Sequence, residues 1–182
     1  MHRRGFLQSS TAAGVLMSTE VSGWSSPNDR IAVCVMGVRG RGGSLLSTLA
    51  SLPEVDIRYV CDVDQRTLDA RMGDLVKNSR HRPQSVDDYR VALDDSRVDA
   101  LVIGTPDHWH ALPTIHACKA NKDVYVEKPD AHNILEGRTM VAAALKIGRV
   151  VQMGTNGRSG PSQQAGINYI ASGKLGKVRF AK

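Results

Sequence analysis

Aromatic side chains are scarce in this chain: two Trp, four Tyr and two Phe among 182 residues. The net charge of +6 would by itself permit nucleic-acid binding. With few rings to stack on bases, and with basic residues scattered among acids, it reads instead as a solvated basic surface, and no nucleic-acid partner is expected. Cysteine is sparse and odd in number. Cys34, Cys61 and Cys118 show no C-x-x-C spacing, which argues against a disulfide framework or a zinc site and leaves them as small core residues. No apolar run is long enough to span a bilayer as a helix, and no internal repeat or low-complexity tract is present.

The amino end reads as an address. Arg3-Arg4-Gly5-Phe6-Leu7 matches the core of a twin-arginine export signal, followed by a short, weakly apolar stretch at 9–17 that Glu20 interrupts. Cleavage is expected between residues 23 and 27, in the Ser/Gly-rich linker. The pathway carries folded proteins, so a cofactor can be loaded before the protein reaches the periplasm or another extracytoplasmic space. With residues 1–26 set aside as signal and linker, about 155 residues remain, enough for one domain with a core.

Beyond the linker, β-branched runs alternate with helical patterns. Strands are predicted at 31–36, 56–61, 100–103, 124–126 and 150–153, and helices near 43–51, 65–78, 86–93, 111–120, 134–147 and 161–172. Such alternation implies an α/β fold, a doubly wound parallel sheet of Rossmann type with helices on both faces. Ligands then bind outside the carboxyl ends of the strands. That rule gathers 37–42, Asp62, 104–110, 127–129 and 154–158 along one rim.

The first of these motifs is the most specific. An apolar strand breaks into Gly37-Val38-Arg39-Gly40-Arg41-Gly42, a helical pattern follows, and the next strand ends in Asp62, 20 residues beyond Gly42. This is the layout of a dinucleotide-binding βαβ unit: glycines let the backbone approach a pyrophosphate at a helix amino end, and the acid accepts from the adenosine ribose. The carboxylate favours NAD, with NADP possible. Arg39 stands at the second glycine position. Either Gly40 supplies the close approach through a shifted turn, or Arg39 reaches the phosphates with its side chain.

Two further motifs carry polar chemistry. Thr105-Pro106-Asp107-His108-Trp109-His110 follows a strand and opens a helix; Thr105 can cap that helix or donate to a phosphate or ribose. His108 and His110 do not share a helix face and no third ligand stands at ligand spacing, so no metal is expected. His116, in the helical pattern, reads as structural. Glu127-Lys128-Pro129 closes another strand. Its lysine can relay a proton to or from a substrate hydroxyl when partly desolvated, whereas taken alone the Glu-Lys pair is only a surface salt bridge.

Together these motifs, with Gly154-Thr155-Asn156-Gly157-Arg158, resemble those of the Gfo/Idh/MocA oxidoreductases over nearly all of residues 30–182. The resemblance implies that the glycine turn (Gly37, Arg39, Gly40, Arg41, Gly42) and Asp62 bind NAD(P). It implies that Thr105, Pro106 and His110 line the nicotinamide side and that Glu127 contacts cofactor. Lys128 would touch both cofactor and substrate and act in catalysis. The activity so implied is hydride transfer between a nicotinamide cofactor and a sugar or polyol.

Family members continue into a second α/β domain that supplies substrate contacts and the oligomer interface. Here 27–160 reads as the nucleotide-binding domain and 161–182 as the beginning of that second domain, so the chain reads as truncated, with an incomplete active site and an oligomer expected only where the second domain is present. Two alternatives remain open on sequence grounds: a non-catalytic nucleotide-binding module, and a glycosidase that uses bound NAD transiently.

Overall fold

The computed structural model describes residues 30–78 and 82–180; the expected export signal at 1–26 lies outside the described residues. The chain runs β1 (Ile31–Met36), α1 (Gly40–Ser51), β2 (Val55–Cys61), α2 (Gln65–Asn78), β3 (Gln84–Val86), α3 (Tyr89–Asp94), β4 (Ala100–Ile103), α4 (Ala111–Lys119), β5 (Asp123–Glu127), α5 (Ile134–Ile147), β6 (Val151–Gly154) and α6 (Pro161–Ala171). All strand pairings are parallel, in the order β3-β2-β1-β4-β5-β6. This is the expected doubly wound sheet.

Why β1 is apolar throughout follows from its central place. A strand covered on both faces has no polar side to alternate with. Val33 and Val35 join Leu46 of α1 and Leu68 and Leu75 of α2 in one core cluster. Cys34 and Met36 project to the opposite face, into a second cluster with Tyr89 and Leu93 of α3, Ala117 and Cys118 of α4 and Met140 of α5. Each fully buried leucine, such as Leu46 or Leu68, contributes on the order of 2 kcal/mol of apolar transfer free energy.

The chain reverses its direction of growth at β1. Leaving β1 it winds outward through β2 and β3, then returns to place β4 on the other side of β1. The loops after β1 and β4 therefore diverge at the carboxyl edge and leave a crevice between them.

Four local readings of the sequence differ from the fold. Strand β3 was not anticipated: it is a short edge strand of polar character, exposed at Gln84 and Ser85. Helix α3 begins at Tyr89, not at 86, because Asp88 caps it, accepting from the Arg90 N–H at 2.9 Å. Helix α1 begins at Gly40, so the glycine turn is already helical in its second half. The segment 173–182, expected to enter the first strand of a second domain, is turn and irregular chain over its described residues, 173–180. All of α6 is exposed, as are the apolar side chains of Ile134, Leu135 and Leu145 on α5.

Candidate functional site

The site is built on backbone contact. Gly37 has φ +75°, a left-handed conformation that side chains resist, and its carbonyl oxygen lies where a Cβ on Gly42 would have to be. A Cβ on Gly104, after β4, would stand 2.6 Å from the Gly42 Cα. The turn after β1, the first turn of α1 and the end of β4 thus touch main chain to main chain. Gly40, with φ +35°, has open space where its Cβ would be.

That turn leaves the amino end of α1 bare. Arg39 occupies the N-cap without a capping side-chain hydrogen bond, and no acid stands in the first turn. The first-turn N–H groups and the helix dipole together favour an anion there. Of the two readings left open for Arg39, its side chain is turned away to Asp64 (Nη2 to Oδ2 3.1 Å) and is mostly exposed. The Asp64 carboxyl is held below its ordinary value by the Thr67 hydroxyl first, and then by the Arg66 N–H and the Arg39 charge.

Asp62 is fixed at the lip of the crevice by two backbone donors: Oδ2 accepts from the Val38 N–H at 2.9 Å and Oδ1 from the Asp64 N–H at 3.0 Å. Each oxygen keeps a lone pair for a further donor, which is what a ribose diol requires. The crevice holds about 960 Å³ and is lined by Asp62, Arg41, Tyr89, His116, Thr105 and Trp109 among others. His116 is therefore part of the wall, its Nδ1 2.9 Å from the Tyr89 hydroxyl.

The β4 loop lines the crevice, and the β5 loop lies next to it, outside the lining. Thr105 donates its hydroxyl to the Trp109 carbonyl at 3.2 Å and caps no helix. Pro106 is exposed at the crevice edge. His110 is buried, with Nδ1 2.6 Å from the Pro129 carbonyl oxygen and Nε2 2.7 Å from that of Thr105. Glu127 is buried too, and its partner is Arg41, whose Nε donates to Oε1 at 2.7 Å. That hydrogen bond raises the guanidinium pKa above its ordinary value. The Lys128 N–H donates to Oε2 at 3.2 Å and the Tyr125 hydroxyl lies 3.4 Å from Oε1. Behind the carboxylate, a Cβ on Gly154 would stand 2.9 Å from Oε1. Lys128 itself is exposed, the peptide to Pro129 is cis, and no carboxylate among the described residues pairs with its ammonium.

Like the Arg41–Glu127 pair, a second contact was not visible in the sequence. Asp107 Oδ2 lies 3.2 Å from His132 Nδ1, and the hydrogen bond holds the Asp107 carboxyl below its ordinary value. The two residues are 25 positions apart and belong to loops that only the sheet brings together.

The family described as "Oxidoreductase family, NAD-binding Rossmann fold" (GFO_IDH_MocA) matches residues 31–155. Among curated proteins, a glycosyl hydrolase family 109 protein of Shewanella baltica is 27% identical over 98% of this chain and 44% of its own length. One of Shewanella putrefaciens is 28% identical with the same coverage. The chain thus spans less than half the length of the curated relatives it matches. Among solved structures, myo-inositol 2-dehydrogenase of Lactobacillus plantarum superposes with a TM-score of 0.75 at 21% identity, over 82% of this chain and 43% of that one. GenD2 from gentamicin A biosynthesis, solved in complex with NAD, gives 0.73 at 27% identity, over 80% and 40%.

The residues present fit NAD. An uncapped helix amino end, a turn with no room for a side chain at Gly37 or Gly42 and a lip carboxylate with free lone pairs meet at one crevice. Its volume is in the range of small-ligand sites.

Proposed function

We propose, for a chain that belongs to the GFO_IDH_MocA family of NAD-binding oxidoreductases, that its protein transfers a hydride reversibly between NAD and a hydroxyl-bearing carbon of a sugar or polyol. The observation that carries the reading is the crevice at the switch point between β1 and β4, with Asp62 at one end and the β5 loop beyond the other. Asp62 takes the adenosine ribose, the bare first turn of α1 takes the diphosphate, and the nicotinamide half extends towards Thr105, Glu127 and Lys128. Accepting or donating the hydride is the chemistry NAD supplies when bound. The chain's own part is to orient and to move a proton. The ammonium of Lys128, with no carboxylate held against it, is placed to relay the proton of the substrate hydroxyl.

Asp62→Ala tests the cofactor site. Calorimetric titration should show NAD affinity falling by an order of magnitude or more, as expected for losing a charged hydrogen-bond acceptor of about 1.5–3 kcal/mol. Unchanged affinity would remove Asp62 from the ribose site.

A second reading has its own support in the glycosyl hydrolase relatives. In it, the same NAD is reduced and reoxidised within each turnover and a glycosidic bond is cleaved. Release of free sugar from an aryl glycoside with no net accumulation of reduced nicotinamide would favour the glycosidase; stoichiometric accumulation would favour the dehydrogenase. Export rests on Arg3-Arg4-Gly5-Phe6-Leu7 alone. Replacing Arg3 and Arg4 together by lysine should retain the protein in the cytoplasm, as read by cell fractionation.

A further inference from the structure

We infer that the Arg41–Glu127 ion pair sets how the crevice discriminates oxidised from reduced nicotinamide, an inference that rests on the NAD-binding reading above. The orientation of the cofactor follows from the chain's own groups. Asp62 marks the adenosine ribose and the amino end of α1 marks the diphosphate, so the nicotinamide half points across the switch point towards the ends of β4 and β5. Arg41 stands on that path. It lines the crevice and reaches out of it to Glu127 on β5, 86 residues away in sequence.

The turn needs no such side chain at position 41. Its tight places are Gly37, Gly42 and Gly104, and the pair itself, with Arg41 42% exposed, is a weak source of stability. What the pair does is place two opposite charges beside the nicotinamide end. The oxidised ring carries a positive charge and the reduced ring is neutral. A guanidinium in the wall disfavours the first and leaves the second untouched; the carboxylate behind it does the reverse. Held at 2.7 Å the two nearly cancel. Glu127 is only 4% exposed, so a charge left uncancelled there acts through a medium that screens poorly. Gly154 belongs to the device, because a methyl group there would press on the Tyr125 hydroxyl at 2.6 Å and on Glu127 Oε1 at 2.9 Å.

Opposite charges predict opposite signs, which a merely structural pair does not. The full chain is titrated calorimetrically at pH 8 with NAD⁺, with NADH and with ADP-ribose, which lacks the nicotinamide. Arg41→Met should shift the ratio of the two dinucleotide dissociation constants about tenfold towards NAD⁺, and Glu127→Gln about tenfold towards NADH. Arg41→Lys, which keeps the charge, should stay near the wild-type ratio, and ADP-ribose, titrated into each variant, measures the change in affinity that does not depend on the nicotinamide and that cancels in the ratio. Ratios that remain at the wild-type value in both Arg41→Met and Glu127→Gln, while all three ligands still bind, overturn the inference. Failure of the unaltered chain to bind any of the three ligands overturns the NAD-binding reading itself, a distinguishable result.

Discussion

The Nδ1 atom of His110 lies 2.6 Å from the carbonyl oxygen of Pro129, and so joins the loop after β4 to the loop after β5. Its Nε2 turns back to the Thr105 carbonyl at 2.7 Å. The motifs after β4 and β5 are thus held by one buried ring, and Asp107–His132 ties the same loops from the exposed side. His110 is buried and does not line the crevice; it ties Thr105, which does, to Pro129.

His110→Ala should therefore cost stability as well as affinity. It leaves two backbone carbonyls without their partner and opens a cavity, a combined loss of about 2–4 kcal/mol by urea denaturation. NAD binding to the folded fraction should also weaken as the loops separate. A variant as stable as the unaltered chain would show that water replaces the ring without loss.

How much of this was legible depended on sequence distance. The bounds of β1, α2, β4 and α5 follow from local periodicity, and the glycine turn and Asp62 from spacing within one βαβ unit. Strand β3 escaped because Gln84-Ser85-Val86 has no apolar alternation, and the helix expected from 86 overlapped its last residue. The partner of Glu127 escaped for a different reason. A neighbouring Lys128 is the pairing a local reading offers, whereas the fold supplies Arg41 from the far side of the crevice. The Asp107–His132 contact is hidden in the same way.

Gly42→Ala should abolish tight NAD binding. Its methyl group would occupy the place of the Gly37 carbonyl oxygen, so the turn must open and the first turn of α1 must shift. An affinity at least tenfold lower is expected by calorimetry, about 1.4 kcal/mol or more. Gly73→Ala in α2, where a methyl group meets nothing within 4 Å, serves as the control and should bind NAD normally.

Acid should destabilise the fold in part through Asp95. Its carboxyl accepts from the Arg97 guanidinium, the Arg97 N–H and the Tyr59 hydroxyl, and these hold its pKa well below the ordinary carboxylate range. Because the folded value is depressed, the unfolded chain binds more protons between the two values. The contribution is complete above the unfolded pKa of about 4 and is lost as pH falls through and below it. Asp88 and Asp64 are depressed in the same sense, chiefly by Arg90 and Thr67. Urea midpoints measured between pH 7 and pH 3 should fall with acid, and Asp95→Asn should flatten the slope. An identical slope in the variant would assign the acid sensitivity to other carboxyls.

The three cysteines should be silent in the folded chain, including the one that borders the crevice. Burial raises the thiols of Cys34 and Cys118, and that of Cys61 is pushed up to about 12, by burial first and then by the charges of Asp62, Asp88 and Asp87. A thiol so raised holds almost no thiolate near neutral pH, and the thiolate is the species that reacts. Titration with a disulfide reagent at pH 8 should therefore find no fast-reacting thiol until denaturant is added, and three thereafter. Rapid labelling of Cys61 in the native chain would mean that the floor of the crevice opens to solvent. In that event the carboxylate at its lip would no longer be held by the Val38 N–H, and the ribose position inferred from it would have to move.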